Sequence, residues 1–309
     1  MRRRRPAVEW LAGVLPRPWF FRVYGRAKAG SWPNLRDPKR LSERLLSRML
    51  DPGPELEQMV RTGDKYTLRG YVEERLGTGY LARLHDVIDV GEQVTAERMA
   101  AWPERTVVKA SHGSNWMAFV DRGRDAPDAL DASVQRWLRS SYAKVRGEPH
   151  YALMTPRVVV EEDLRRGGLP PADVKFFVFD GTPRIALFES GRFGELRRFV
   201  ADPEWRPLAV RYAAPPPDQD PPAPRALAQM REIARELAAG LRFVRIDLYE
   251  IEDRVLVGEM THFPGAGAPP FVPRSFDDEL GAVWAERRPV GPDWWRDEAC
   301  SPASEAGRT

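Results

Sequence analysis

The chain has 309 residues, a formal net charge of +3 and 42% hydrophobic residues. That is enough apolar material for a sizeable core and two or three subdomains. The small net charge, the scatter of basic residues and the lack of a zinc-finger, RRM or helix-turn-helix signature exclude nucleic acid as the partner to expect, and a lone cysteine, Cys300, excludes an internal disulfide framework and fits a reducing cytosol.

The N-terminus, MRRRRPAVEWLAGVLPRPWFFRVYGR, opens like the charged region of a secretion signal. Its apolar stretch is interrupted by Glu9, Pro16, Arg17 and Pro18, well short of the roughly 20 apolar residues that span a bilayer. Residues 1–27 are expected to form a basic, aromatic helical arm docked on the rest of the chain. The alternative is peripheral contact of Trp10, Leu11, Leu15, Trp19, Phe20 and Phe21 with an anionic membrane surface. The expected location is cytoplasmic, at the inner face of the membrane in that second case.

Residues 28–104 read as a helical part. A helix over 38–61 carries the pattern LSERLLSRML and breaks at Pro-Gly-Pro, 52–54, and a second short helix covers 64–77 with Lys65 near its start. The span 105–160 reads as a small subdomain: strand RTVVKAS, a loop His112-Gly113-Ser114-Asn115, strand MAFVD, a helix over 128–145 capped by Asp128 or Asp131, and the buried-strand run RVVVEEDL at 157–164. Leu130, Val134, Trp137, Leu138 and Tyr142 fall at helical spacing and are expected in the core. A small-residue loop between strands can fold its N–H groups over an anionic ligand, and Lys109 on the incoming strand could reach the same anion. No GxxxxGK[ST] element is present.

The span 161–285 reads as a larger sheet subdomain. DVKFFVF-DG-TPRIALF is a hairpin turning at Asp180-Gly181, with Lys175 on its first strand; like Lys109, it is either an exposed strand lysine or a functional one. SGRFGELRRF follows with Arg192, Arg197 and Arg198, which could bind an acidic acceptor or form a solvated basic loop. AAPPPDQDPPAP at 213–224 is too rich in proline for helix or central strand and reads as an exposed loop, and RALAQMREIARELAAGL makes an amphipathic helix ending at Gly240. Residues 286–309 read as a disordered tail.

The most informative stretch is FVRIDLYEIEDRVLVGEMT, 243–261, two strands joined by a short turn at Glu252-Asp253. Alternation puts Val244, Ile246, Leu248, Leu256 and Met260 on an apolar face and Arg245, Asp247, Glu259 and Thr261 on the other. If the hairpin is symmetric about Asp253, Asp247 lies opposite Glu259, with Cβ atoms roughly 4.5–5.5 Å apart. Two like charges at that distance need something positive between them: a hard divalent cation, or pairing with Arg245 and Arg254.

In order along the chain, NLRDPKRLSERL, DKYTLRGYVEERLG, VVKASHGSNWM, PRVVVEEDL, DVKFFVFDG and FVRIDLYEIEDRVLVGEMTHFPGAG resemble the TupA-like group of ATP-grasp proteins. The resemblance implies an α+β ATP-grasp fold, two subdomains gripping ATP, and a link to cell-surface polysaccharide synthesis. It further implies that Lys65 and Lys109 contact phosphates, that His112, Gly113 and Ser114 belong to a phosphate lid, and that Glu161, Glu162, Asp163 and Leu164 form the hinge beside adenine. Lys175 and Arg245 would act at the reacting phosphate, and Asp247 and Glu259 would hold Mg²⁺. Where many of these ligases have Asn as a third ligand this chain has Thr261, so one or two ions are expected. The implied reaction is ATP-dependent joining of a carboxylate, small or on a glycan, to an amine through an acyl phosphate; Arg197 and Arg198, as basic residues after the Lys175 hairpin, are the ones expected on the substrate. A phosphotransferase acting on a hydroxyl and a non-catalytic binding protein are the alternatives.

Overall fold

The structure, a computed structural model, describes residues 14–143, 147–191 and 194–286. Trp10, Leu11, Arg192, Cys300 and the tail beyond 286 lie outside the described residues.

The chain starts with helix α1 (Arg17–Ala29), entered through prolines and closed by Gly30 in the left-handed conformation. Phe20, Phe21 and Tyr24 pin one side of it into the core. Helix α2 (Leu41–Leu50) buries Leu41, Leu45, Leu46 and Met49, the i, i+4 stripe that its sequence carries. The Pro-Gly-Pro break then redirects the chain through a single 3₁₀ turn, Gly53–Glu55, into α3 (Leu56–Gly63) and α4 (Thr67–Leu76).

A four-stranded antiparallel sheet follows, in the order β1-β4-β2-β3, from β1 (Leu84–Asp89), β2 (Arg105–Ala110), β3 (Met117–Asp121) and β4 (Arg157–Glu162). The sequence boundaries at 105 and 160 cut through this sheet, since β1 precedes the first and β4 crosses the second. One face is covered by α5 (Ala96–Ala100) and α6 (Pro127–Leu138), with Trp102, Val134 and Trp137 against Ile88, Val108 and Val160. Helix α6 starts on Pro127 with no side-chain cap, and Asp131 instead accepts the Val94 N–H at 2.8 Å. The helix ends at Leu138, so Tyr142 leaves its apolar stripe and is only half-buried.

The second sheet is antiparallel, ordered β10-β9-β5-β6-β7. It comprises β5 (Asp173–Phe179), β6 (Thr182–Ser190), β7 (Arg197–Ala201), β9 (Phe243–Ile251) and β10 (Arg254–Thr261). The short pair β8 (Arg211–Tyr212) and β11 (Phe271–Val272) stands apart. The β5–β6 turn is the expected Asp180-Gly181, both at positive φ as a tight hairpin requires. One face of this sheet presents Val174, Phe176, Val178, Val244, Ile246 and Leu248 to α4 and α7 (Leu227–Leu237). The other presents Phe177, Phe179 and Phe243 to α1, α2 and α8 (Ser275–Glu286).

Along β5 and β9 this second face changes character. Lys175 shares the parity of Phe177 and Phe179, and Arg245 and Asp247 that of Phe243. The pairs Lys175–Asp247 and Phe177–Arg245 therefore put a charged cluster at the end of an aromatic core face.

The β9–β10 hairpin turns at Glu252-Asp253, with Ile251 opposite Arg254. A two-residue turn alone would put Gly258 opposite Asp247. A bulge between Val257 and Glu259 absorbs the extra residue, so Glu259 faces Asp247 and Thr261 faces Arg245. The same bulge corrects the apolar face. Leu256 pairs with Tyr249 and lies outside the cluster beneath α4 and α7, where Val255 and Val257 take the place expected of it.

Candidate functional site

Lys65 is placed by its neighbour. The Asp64 carboxylate caps α4 by accepting the Tyr66 N–H at 2.8 Å and the Thr67 N–H at 3.1 Å. Its second oxygen accepts from the Ser111 hydroxyl at 2.8 Å, which ties the start of α4 to the end of β2. The Lys65 ammonium then donates to the Gly113 carbonyl at 2.7 Å, inside the 112–115 loop. Burial lowers its pKa, with Glu259 opposing that loss of charge and Lys109 adding to it.

Lys109 projects from β2 and donates to Glu161 at 3.0 Å, and Arg69 of α4 donates to the other oxygen of Glu161 at 2.8 Å. Burial works to raise the Glu161 carboxyl, but Lys109 and then Arg69 outweigh it, and the pKa is held below the usual carboxylate range.

Lys65 and Lys109 line a cavity of about 430 Å³ together with Gly113, Ser114, Asn115, Glu162, Asp163, Leu164, Tyr249, Gly258 and Glu259. Gly113 is required by contact, because a Cβ there would lie 2.5 Å from the Trp116 ring. Two expected members are not on the wall. His112 is 2% exposed and turned inward, its Nε2 3.0 Å from the Trp137 carbonyl and its ring edge-on to Trp116. Glu161 sits behind Lys109 and orders it, while the wall begins at Glu162. Sequence reasoning missed Phe119 and Arg165. Arg165 lies 3.8 Å over the Phe119 ring and is held by Asp163 at 2.7 Å.

A second cavity, about 420 Å³, is lined by Lys175, Arg198, Arg245, Glu259, Thr261, Tyr142 and Tyr151. Glu259, Ser114 and Asn115 line both cavities and form their partition. Lys28, Glu148 and Glu189 also line this cavity and were missed. Glu189 was legible as the residue cross-strand from Arg198, which donates to it at 2.7 Å. Nothing in the sequence signals that Lys28 of α1 and Glu148 of the 147–151 segment meet here. Arg197, expected beside Arg198, points the other way. It pairs with Glu195 and reaches the Pro216 carbonyl at 3.3 Å, because successive strand residues face opposite sides.

Between the cavities lies the charged cluster. The Arg245 guanidinium donates to Asp247 at 2.6 and 2.7 Å, to Glu259 at 2.9 Å and to the Thr261 hydroxyl at 3.1 Å. Lys175, 3% exposed, donates to Asp247 at 2.8 Å and pairs with Asp173 at 3.0 Å. It is therefore a buried partner and not an exposed strand lysine. Burial opposes its charge, Asp247 and Asp173 outweigh that, and its pKa is raised. Burial pushes the Asp247 carboxyl up against the pull of Arg245 and Lys175. The contacts favour an ionised Asp247, since both its oxygens accept from cations. The positive group required between Asp247 and Glu259 is, in this arrangement, Arg245. Arg254 takes no part in it and pairs at 3.9 Å with Glu162.

The donors here are hard oxygens, two carboxylates and a hydroxyl, the type Mg²⁺ takes. Glu259 suits the role best, with a side chain 36% exposed on both cavities, whereas Asp247 is 1% exposed. Among the described residues no group of three or more His, Cys, Asp or Glu could hold a metal. A cation at Glu259 and Asp247 would complete its shell from phosphate oxygens or water, as Mg²⁺ commonly does. Lys65, Lys109 and the loop N–H groups fit a polyphosphate by charge and donor type.

Solved structures with a similar course of chain include D-alanine–D-alanine ligase from Bacillus anthracis in complex with ATP, at 13% identity and TM-score 0.42, covering 66% of this chain and 56% of that one. The Helicobacter pylori D-alanine–D-alanine ligase matches at 14% identity and TM-score 0.46, over 74% of this chain and 64% of that one. The D-cycloserine synthetase DcsG matches at 16% identity and TM-score 0.43, over 82% of each chain. The chain thus spans under two thirds of the length of these D-alanine–D-alanine ligases. Among curated proteins none matches the sequence. The TupA-like ATPgrasp family model matches residues 41–285, a stretch that holds both sheets and every residue of the charged cluster, and the chain belongs to that family.

Proposed function

We propose that the protein is an ATP-dependent ligase that joins a carboxylate to an amine through an acyl phosphate, acting on a cell-surface polysaccharide or its precursor. The observation that carries this reading is the shared wall. Glu259 borders both the cavity with Lys65 and Lys109 and the cavity with Arg245, Lys175 and Arg198. A nucleotide in the first would present its terminal phosphate at Glu259, to a substrate held in the second.

In this reading Lys65 and Lys109 bind the phosphates, Gly113, Ser114 and Asn115 cover them, and backbone groups of Glu162, Asp163 and Leu164 meet adenine. Asp247 and Glu259 would hold Mg²⁺, with the Thr261 hydroxyl beside them, and the ion would supply neutralisation of the charge developing on the transferred phosphoryl group. Arg245 and Arg198 orient the substrate carboxylate. A carboxylate oxygen takes the γ-phosphoryl group and ADP departs. The amine then attacks the acyl carbon, phosphate leaves with the bonding pair, and the nitrogen gives up one proton. No covalent enzyme nucleophile is required.

The test is a hydroxylamine trap. Enzyme, Mg-ATP, hydroxylamine and a panel of carboxylates should yield a hydroxamate, ADP and phosphate, and Glu259→Gln, at a side chain 36% exposed, should abolish ATP turnover with the fold intact. A stable phosphate ester formed with stoichiometric ADP and no free phosphate would establish the phosphotransferase instead.

A further inference from the structure

The basic residues are not scattered evenly. Residues 1–40 contain eleven Lys or Arg against two Asp or Glu, while the whole chain has 48 against 45, so the rest is net acidic. Helix α1 lies within this basic stretch and is two-sided. Phe20, Phe21 and Tyr24 are buried at 4%, 1% and 4% exposure, and Arg17 donates to the Met49 carbonyl at 2.9 Å, so the inner face is fixed to the body of the protein.

The outer face runs through Trp19, Arg22 and Arg26, at i, i+3 and i+7. Trp19 is 56% exposed, with the Arg22 guanidinium 5.6 Å over its ring. Just past the helix Trp32 is 61% exposed, and before it Val14 is 59% exposed. Most tryptophans bury their large apolar ring, so two left in water, Trp19 under an arginine and Trp32 just beyond the basic helix, mark a surface that meets something both apolar and anionic. Among the described residues no helix is long and apolar enough to cross a membrane.

We propose that the outward face of α1, together with Trp32, docks on the surface of an anionic lipid bilayer. Indole rings seat at the headgroup level, and arginines pair with anionic lipid. The basic run at residues 2–5 adds charge to the same end of the chain. Helix α1 is thus docked on the protein by one face and open to lipid by the other.

The experiment is co-sedimentation of the full chain with vesicles of phosphatidylglycerol and phosphatidylcholine, or of phosphatidylcholine alone, at low and physiological salt. Binding is expected only to the anionic vesicles. Arg22→Glu/Arg26→Glu should weaken it at least tenfold at low salt, and Trp19→Ala/Trp32→Ala by a similar factor at physiological salt, where charge attraction is screened. Unchanged ADP affinity and thermal unfolding in both variants would show that these substitutions spare the fold. The proposal is overturned by absent binding to anionic vesicles or by binding that survives both pairs of substitutions. Capture by soluble dextran sulfate without dependence on the tryptophans, in place of vesicle binding, would make the partner an anionic polymer and overturn it too.

Discussion

Asp247 and Glu259 face one another across the β9–β10 hairpin because Gly258 bulges out of the ladder between them. Regular pairing onward from Val257 and Leu248 would carry Glu259 to the core face, where an unpaired carboxylate is costly. The bulge also fits only a residue without a side chain, since a Cβ on Gly258 would lie 2.6 Å from the Tyr249 ring.

Gly258→Val is therefore expected to lower stability by about 1–3 kcal/mol through overpacking and to reduce ATP turnover as Glu259 shifts. Tyr249→Ala in the same chain should recover part of the stability. Denaturant unfolding of the single and double variants checks this, and a fully stable Gly258→Val would show that the ring moves aside at no cost.

Lys175 is enclosed between Asp173 and Asp247 at 3.0 and 2.8 Å. Breaking a buried ion pair by removing one partner leaves uncompensated charge, so Lys175→Met should cost about 3–5 kcal/mol. Adding Asp173→Asn should return part of that loss. Additive effects of the two changes in chemical denaturation would contradict the coupling.

Glu161 accepts from Lys109 and Arg69 together. Glu161→Gln keeps the shape but leaves two cations around a neutral amide. Lys109 should then drift from its place and ADP affinity fall several-fold, with a loss of about 1–3 kcal/mol in stability. Lys109→Ala, which removes a charge-assisted phosphate contact worth roughly 1.5–3 kcal/mol, should weaken ADP binding ten- to hundredfold. Calorimetry with ADP on both variants separates the group that positions from the group that binds.

Much of this site was legible in the sequence because β structure has a period of two. Alternation put Arg245 with Asp247 and Glu259 with Thr261, and a register symmetric about Asp253 set the two pairs face to face, which the bulge at Gly258 achieves. The Asp-Gly turn fixes only the β5–β6 register, with Lys175 opposite Leu187, whereas its partner Asp247 comes from the non-local pairing of β5 with β9. What was not legible lies where periodicity ends. The direction of His112 depends on whether a loop residue can bury its ring on Trp116, and no local pattern encodes that. Leu256 was assigned to the wrong face because a bulge reverses parity without changing composition. Lys28, Glu148 and Tyr151 reach the second cavity only through packing between segments more than a hundred residues apart. Gly147 illustrates this, since a Cβ there would lie 3.0 Å from Phe21 of α1.

Two buried histidines set an acid limit on stability. The Thr62 hydroxyl donates to the Gln58 carbonyl at 2.7 Å, so at 2.8 Å it accepts from His262 Nε2, which must carry the proton. His262 Nδ1 and His150 Nδ1 are buried without a partner, and an added proton there would have no acceptor. Burial, with Arg48 nearby, lowers the His150 pKa to about 3, and burial with Arg48 and His150 puts His262 well below its usual value. Both stay neutral when folded but protonate near pH 6.5 when unfolded. The unfolded state thus binds more protons below that pH, so stability is full above it and falls as the pH drops toward the folded pKa. Between pH 7 and 5.5 each histidine should cost about 1 kcal/mol, in a window above the carboxylate range. His150→Gln/His262→Gln should flatten this slope, with the glutamine amide at 262 able to donate to Thr62. Melting temperatures of wild type and variant that fall in parallel from pH 7 to 5.5 would assign the acid sensitivity to other groups.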